Sequence, residues 1–369
     1  MTFVFSADGH VVEPPDLFAS KLPESLKKHG IHSERQGDHL CTMAGEKVLH
    51  RMRIRKKPEG GEEVMALGHQ PKGHRDLDGR LEDMKAEGVD AEIVFPSQCL
   101  WTYGIEHVEA ELATAQIYND WNDGYFSGHL DKFIRCGVLP VRDFANTREE
   151  MQRLAKMGFT AAMLPAVSPT GLPKYNDPSW DPVFALAGDL GIVLVLHTGT
   201  GLDTVQPEKA AGGAVINYTN QACDAQQTIM YMVAGGILDR NPDTKVAVIE
   251  SGASWLAALC ERMDEVYEAH QMYVRPKLSL KPSEIIARQV SASFQYDRAC
   301  IMARSVTGTK ALMWGADYPH AEGTFPHTRK VLDHLFDGID ISDQDKADIL
   351  GGNAARLFRL PRPEFQRAA

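Results

Sequence analysis

Eight short apolar runs punctuate the chain, and the stretches between them carry apolar residues at helical spacing. In order the runs are TFVFSAD (2–8), DAEIVFPS (90–97), IRCGVLP (134–140), FTAAMLP (159–165), GIVLVLHT (191–198), KVAVIES (245–251), QVSASFQ (289–295) and ALMWGAD (311–317). Most are apolar nearly throughout, as a parallel strand covered on both faces requires. SWLAALCERMDEVYEAH (254–270) shows the intervening pattern: Leu256, Leu259, Met263 and Val266 recur at three- and four-residue intervals, with Ser254 placed to cap the start. Eight strands alternating with helices predict an α/β protein, a (β/α)8 barrel. The competing doubly wound sheet would follow its first strand with a glycine-rich phosphate loop, which SADGHVVEPP lacks.

A barrel of this kind takes roughly 250 residues, and the chain has 369. The excess is assigned to an insertion after the first strand, about 11–74, rich in Pro, Gly and charge, and to a helical extension at 343–369. Inside the insertion, HLCTMAGEKVLHRM (39–52) reads as a small hairpin turning at Ala44-Gly45. There is no internal repeat or low-complexity linker, so the expectation is one domain over 1–369 with an embellished rim.

Composition narrows the classes. A net charge of −11 argues against a nucleic-acid partner and against docking on an anionic membrane. No apolar run reaches the length of a membrane span. The opening MTFVFSADGH is short for a signal peptide and lacks a basic start. The 6 cysteines form no Cys-x-x-Cys pair, which suits reduced thiols. A soluble cytoplasmic protein is the resulting expectation.

The chemistry-bearing residues gather at strand ends. The first run ends in Asp8 and His10, two residues apart and therefore on one face of a strand. The fifth ends in His197, the sixth in Glu250 and the eighth in Asp317; the seventh offers Ser293 and Gln295. In a barrel all of these open onto one mouth. Singly, His197 is equally a satisfied core histidine, Asp317 a turn cap, and Glu250 a partner for Arg262. Together they place three carboxylates and two imidazoles in one place, and buried carboxylates cluster at such cost only around a cation.

At this point a resemblance becomes specific. SADGHVVEPPDLF, RLEDMKAEGVDAEIVFPS, IYNDWN, WDPVFALAGDLGIVLVLHTGTG, GGILDRNPDTKVAVIESG, LMWGADYPHAEGTFPHTR and GNAARLF span nearly the whole length. They resemble the amidohydrolase superfamily, in the branch that holds carboxymuconate-semialdehyde and resorcylate-type decarboxylases. The resemblance implies a metal-dependent barrel enzyme, often a homodimer. Two positions depart from the superfamily pattern. Asp8-Gly9-His10 stands where His-x-His is usual, a change the decarboxylase branch tolerates. Glu250 stands where the sixth strand often ends in a histidine.

The expected ligands are Asp8, His10, His197 and Asp317, a harder donor set than thiolates or imidazoles alone, suited to Mn2+ or Fe2+ as well as Zn2+. Glu250 either supports this ion, shuttles protons, or bridges to a second one. His320 and Glu322 join the ligands, line the pocket, or stay solvated. Three chemistries fit. The leading one is hydrolysis of an ester, lactone, amide or thioester by metal-activated water, with Asp317 as proton acceptor. The others are non-oxidative decarboxylation of an aromatic or unsaturated acid, with Asp317 as proton donor, and oxygen-dependent hydroxylation at a di-iron centre that includes Glu250. Trp101, Tyr103 and His320 are candidate substrate contacts, with Phe18, Tyr218, Arg75 and Arg329 further off.

Overall fold

The structure is a computed structural model that describes residues 2–56, 63–65, 71–201, 210–362 and 365. Thirteen strands follow in chain order: β1 Phe5–Ser6, β2 His10–Val11, β3 Ile31–Gln36, β4 His39–Ala44, β5 Lys47–Lys56, β6 Glu63–Met65, β7 Ala91–Pro96, β8 Phe133–Val138, β9 Ala161–Pro165, β10 Val193–His197, β11 Val246–Ile249, β12 Val290–Phe294 and β13 Leu312–Trp314. β1, β7, β8, β9, β10, β11, β12 and β13 lie side by side in that order, and each pair is parallel. Strands β7 to β11 are buried at every position, the counterpart of their unbroken apolar sequence. Backbone bonds from Ala7 N–H to the Trp314 carbonyl (2.9 Å) and from Asp317 N–H to the Asp8 carbonyl (3.0 Å) join the last strand to the first. This is the expected (β/α)8 barrel.

The first barrel strand is split. β1 and β2 both pair with β7, and the chain between them bridges Gly9 to Tyr318. Glycine is required at position 9: an added Cβ would lie 2.7 Å from Glu92 Oε2 and 3.0 Å from Arg80 Nη2. Those two side chains form a buried ion pair beneath the strand. Arg80 also donates to the His10 carbonyl at 2.5 Å and lies 4.9 Å from the centroid of the Tyr318 ring.

The insertion folds as short helices Leu17–Lys21 and Glu24–Lys27 and an antiparallel sheet in the order β3-β4-β5-β6. The expected hairpin is its β4–β5 pair, with Gly45 at φ 59° in the turn. Residues 57–62 and 66–70 of the insertion, and 363, 364 and 366–369 of the extension, lie outside the described residues. Glu13 fastens the insertion to the barrel. Its buried carboxylate accepts from the N–H groups of Ser97, Gln98 and Cys99 just past β7, at 3.2, 2.9 and 2.9 Å.

Helix Trp255–Ala269 begins after Ser254 as expected, but the hydroxyl does not cap it. The Asp297 carboxylate takes the N–H groups of Ala253 and Ser254 instead, at 2.9 and 2.7 Å. A long-range carboxylate is a stronger acceptor than a local hydroxyl. In the C-terminal extension Asn353 donates to the carbonyls of Thr309 and Leu312 (both 2.9 Å), pinning helix Asn353–Leu357 beneath β13. Among the described residues, no helix is long and apolar enough to cross a membrane.

Candidate metal centre

The strand geometry sends four side chains into the carboxyl-terminal mouth. Asp8 follows β1, His10 opens β2, His197 closes β10, and Asp317 lies just past β13. All four are buried. Asp8 Oδ1 is 3.6 Å from His10 Nε2 and 3.7 Å from His197 Nε2, and Asp317 Oδ1 is 3.6 Å from His10 Nε2. Gly315 permits this closeness, since a Cβ there would come 2.7 Å from the Asp8 Cβ.

The hydrogen bonds fix which atoms face inward. His10 Nδ1 lies 3.0 Å from the Pro96 carbonyl and His197 Nδ1 3.0 Å from the Thr198 carbonyl. A carbonyl only accepts, so each Nδ1 carries the proton, and in the neutral ring Nε2 is left as a bare lone pair. This is how metal-binding histidines are held. Gln295, just past β12, donates to Asp8 Oδ2 at 3.1 Å and leaves Oδ1 free. Asp8 Oδ1, His10 Nε2, His197 Nε2 and Asp317 Oδ2 have no hydrogen-bond partner although buried. Buried polar atoms without partners are costly, and a divalent cation among them satisfies all at once. Asp8, His10 and His197 can chelate such an ion, and so can His10, Asp317 and His320.

Two of the carboxyls sit in surplus negative charge. Burial raises Asp317 well above the usual carboxylate range, and Asp8 and Glu322 push the same way. Burial likewise raises Glu250, reinforced by Asp317 and opposed in part by His197. Burial drives the His10 imidazole well below its ordinary value, helped by His320 and His197. Burial also pulls on His197, but Asp8 and Glu250 outweigh it and hold that ring above the ordinary histidine value.

A second tier of residues rims the first. Glu250 follows β11 at φ 62° and Asp317 sits at φ 54°, left-handed backbone that side-chain-bearing residues adopt at a cost. The Glu250 N–H is held by Ser293 Oγ at 3.0 Å, and its Oε2 lies 3.7 Å from His197 Nδ1. Arg262 pairs with Glu265 rather than with Glu250. His320 Nδ1 lies 2.8 Å from Asp317 Oδ1, with its ring tilted 30° against His10, centroids 4.2 Å apart. Tyr218, on helix Gly213–Ala234, donates to Glu322 Oε1 at 2.9 Å.

The remaining candidates spread out. Trp101, in the turn Cys99–Gly104 after β7, is partly exposed and stacks on His50 of β5, ring centroids 4.7 Å apart. Tyr103 is buried, its hydroxyl donating to the Met163 carbonyl at 2.9 Å, and Phe18 is buried in the core. Arg329 donates to the carbonyls of Ala86 and Lys85, and Arg75 is exposed. The reading of the sequence passed over His50, Glu13 and the Arg80–Glu92 pair. Only an unpaired acid at position 13, in an otherwise turn-like stretch, offered a local hint.

Known proteins share this fold. The amidohydrolase family model matches residues 39–360. A search of curated proteins gave no match. Among solved structures, an amidohydrolase from Mycobacterium avium subsp. paratuberculosis K-10 is similar at a TM-score of 0.77 and 21% identity, covering 97% of this chain and 99% of the other. A 5-carboxyvanillate decarboxylase from Sphingomonas paucimobilis is similar at 0.68 and 21%, covering 98% and 100%. A dihydroxybenzoic acid decarboxylase from Polaromonas sp. JS666, solved with manganese and the inhibitor 2-nitroresorcinol, is similar at 0.67 and 16%, covering 100% of both.

Proposed function

The chain belongs to the amidohydrolase family, and on that footing we propose that it is a metal-dependent decarboxylase of a small aromatic or unsaturated acid. Asp8, His10, His197 and Asp317 hold the ion in this reading. Once bound, a divalent cation orients the acid's carboxylate with a neighbouring oxygen and stabilises negative charge on that oxygen. The bond between carbon and carboxylate breaks, its electron pair stays on the carbon, and Asp317 delivers a proton there. Carbon dioxide leaves, and no oxidant is consumed.

The observation that carries this reading is the Asp317–His320 pair. Asp317 is enclosed, while His320, whose Nδ1 lies 2.8 Å from Asp317 Oδ1, is 31% exposed. The pair offers a path along which a proton can pass from solvent to the buried carboxyl. Hydrolysis, the leading expectation from the sequence, would need Asp317 to accept a proton. Support for decarboxylation also comes from the two decarboxylases above, one of them solved with manganese. The stacked His50 and Trp101 rings near the mouth suit a flat, unsaturated substrate.

The test is a panel of phenolic and unsaturated acids with Mn2+-loaded protein under argon, following carbon dioxide release. Activity on at least one acid, reduced on the order of 10²-fold or more in D317N, is expected. Full activity in D317N, or ester hydrolysis with no decarboxylation, overturns the reading. Glu250, where a histidine is usual, with His320 and Glu322 beside it, favours a second reading, oxygen-dependent hydroxylation at two irons. Strict dependence on oxygen would select it.

A further inference from the structure

Strand β5 of the insertion is fixed along the turn Cys99–Gly104, which follows β7 at the mouth. Lys47 pairs with Glu106 at 3.0 Å. Leu49 is buried against Gly104, where an added Cβ would collide with its side chain. His50 stacks on Trp101 with the ring planes 15° from parallel. Successive residues of a regular strand face opposite ways, yet Leu49 and His50 both meet this turn. The cause is a β-bulge: Thr42 pairs with His50 and Met43 with Val48, so Leu49 is the extra residue. Bulges re-aim side chains in this way and concentrate next to active sites.

We propose that His50 and Trp101 form a subsite for the end of the substrate remote from the metal, selecting a planar acid that carries a neutral hydroxyl or carbonyl group there. The proposal rests on the decarboxylase reading and extends it to substrate choice.

Packing alone does not account for the pair. Among the described residues, no hydrogen bond reaches either ring nitrogen of His50 or the indole N–H of Trp101. Both residues are half-buried, and none of the three nitrogens is sealed from solvent, so a ligand can reach them. Buried polar groups ordinarily have partners. Burial alone pulls the His50 imidazole down to about 4, so at neutral pH the ring is uncharged, with one nitrogen donating and the other accepting. Such a ring matches a hydroxyl, which both gives and takes a hydrogen bond, better than a second carboxylate, which calls for a cation. Trp101 adds a donor beside it.

The turn sets this pair next to the metal centre. The Pro96 carbonyl that holds His10 Nδ1 ends β7, and the Phe95 ring lies 4.8 Å from that of His197. Glu13 fixes the N–H groups of the next three residues, so the chain from the ligands to Trp101 is anchored. With the carboxylate and its neighbouring oxygen on the ion, the far edge of the acid meets His50 and Trp101.

The experiment is isothermal titration calorimetry of the full chain loaded with Mn2+, using salicylate, 2,4-dihydroxybenzoate and 2,5-dihydroxybenzoate as probes. All three offer the ion a carboxylate and an ortho oxygen; the last two add a hydroxyl further round the ring. Wild type should bind at least one dihydroxybenzoate roughly fivefold more tightly than salicylate, the worth of one net hydrogen bond. H50F keeps a stacked ring and removes both nitrogens. It should bind all three within about twofold of one another, with salicylate affinity within about twofold of wild type. W101F, which keeps a ring and loses the N–H, should narrow the preference in the same direction. Circular dichroism and Mn2+ affinity confirm that both variants are folded. No preference in wild type, or a preference that survives both variants, overturns the subsite and leaves decarboxylation standing. Binding of none of the three overturns it as well, and carbon dioxide release under argon then shows whether the decarboxylase reading falls with it.

Discussion

Replacing Glu92 with glutamine tests how firmly the first strand is held under the metal centre. Arg80 and Glu92 are 1% and 3% exposed, and Arg80 Nε donates to Glu92 Oε1. Burial disfavours the guanidinium charge, and Glu92 more than offsets this. In E92Q the cation stays buried with a neutral partner, while its Nη2 already lacks one. Breaking a buried pair from one side costs about 3–5 kcal/mol. The same guanidinium donates to the His10 carbonyl, so its displacement would also tilt a proposed ligand. Loss of a supporting contact of this kind weakens metal binding by roughly 10–100-fold. Urea unfolding, with circular dichroism and tryptophan fluorescence curves first shown to coincide, gives the stability change, and Mn2+ titration gives the affinity. R80M/E92L removes both charges and should return close to wild-type stability. An E92Q cost under about 1 kcal/mol, or a double variant as unstable as the sum of its parts, would refute a strand held by this pair.

Two further outcomes follow from the buried groups. Glu111 accepts from the N–H groups of Val141 and Arg142, and burial lifts its carboxyl to about 7. The folded state thus holds this proton more tightly than the unfolded chain, so its contribution is intact below about pH 4.5 and fades as pH rises through about 7. Wild type should lose about 2.5 kcal/mol more than E111Q between pH 5 and pH 8, and parallel urea midpoints would contradict this. Chelation followed by Mn2+ at a hundred times its Kd should raise stability by about 2.7 kcal/mol, seen as a higher melting temperature. H10A should show little of that gain, and an unchanged wild-type melt would count against a metal at this mouth.

The barrel was legible because its strands are buried on both faces, so GIVLVLHT and KVAVIES stand out as unbroken apolar runs. The hairpin at Gly45 was legible from its turn residues. Strand β3, IHSERQ, was not, since only Ile31 is buried and the rest reads as loop. Asp8, His10, His197 and Asp317 could be placed from strand position alone, and the mouth brings them together. Contacts made by the insertion and the long helix left no such trace. His50 on Trp101, and Tyr218 on Glu322 across 104 residues, join segments whose approach depends on tertiary packing and not on local pattern. Ser254 shows the same limit: its place at the helix start could be read, but the acceptor Asp297 could not.

The seam where β13 meets the start of the chain has a consequence for biosynthesis. Asp8 and Asp317 come from opposite ends of the sequence and are brought together by the bonds that close the ring, among them Ala7 to Trp314, Asp317 to Asp8 and His10 to Tyr318. A nascent chain carries Asp8, His10 and His197 long before its last strand is made, so on the proposed ligand set it lacks the fourth donor until closure. With that set, a complete metal site would need a closed barrel, and an ion held on both sides of the seam would act as a clasp against its reopening. A polypeptide truncated before β13 would lack that clasp along with its final strand.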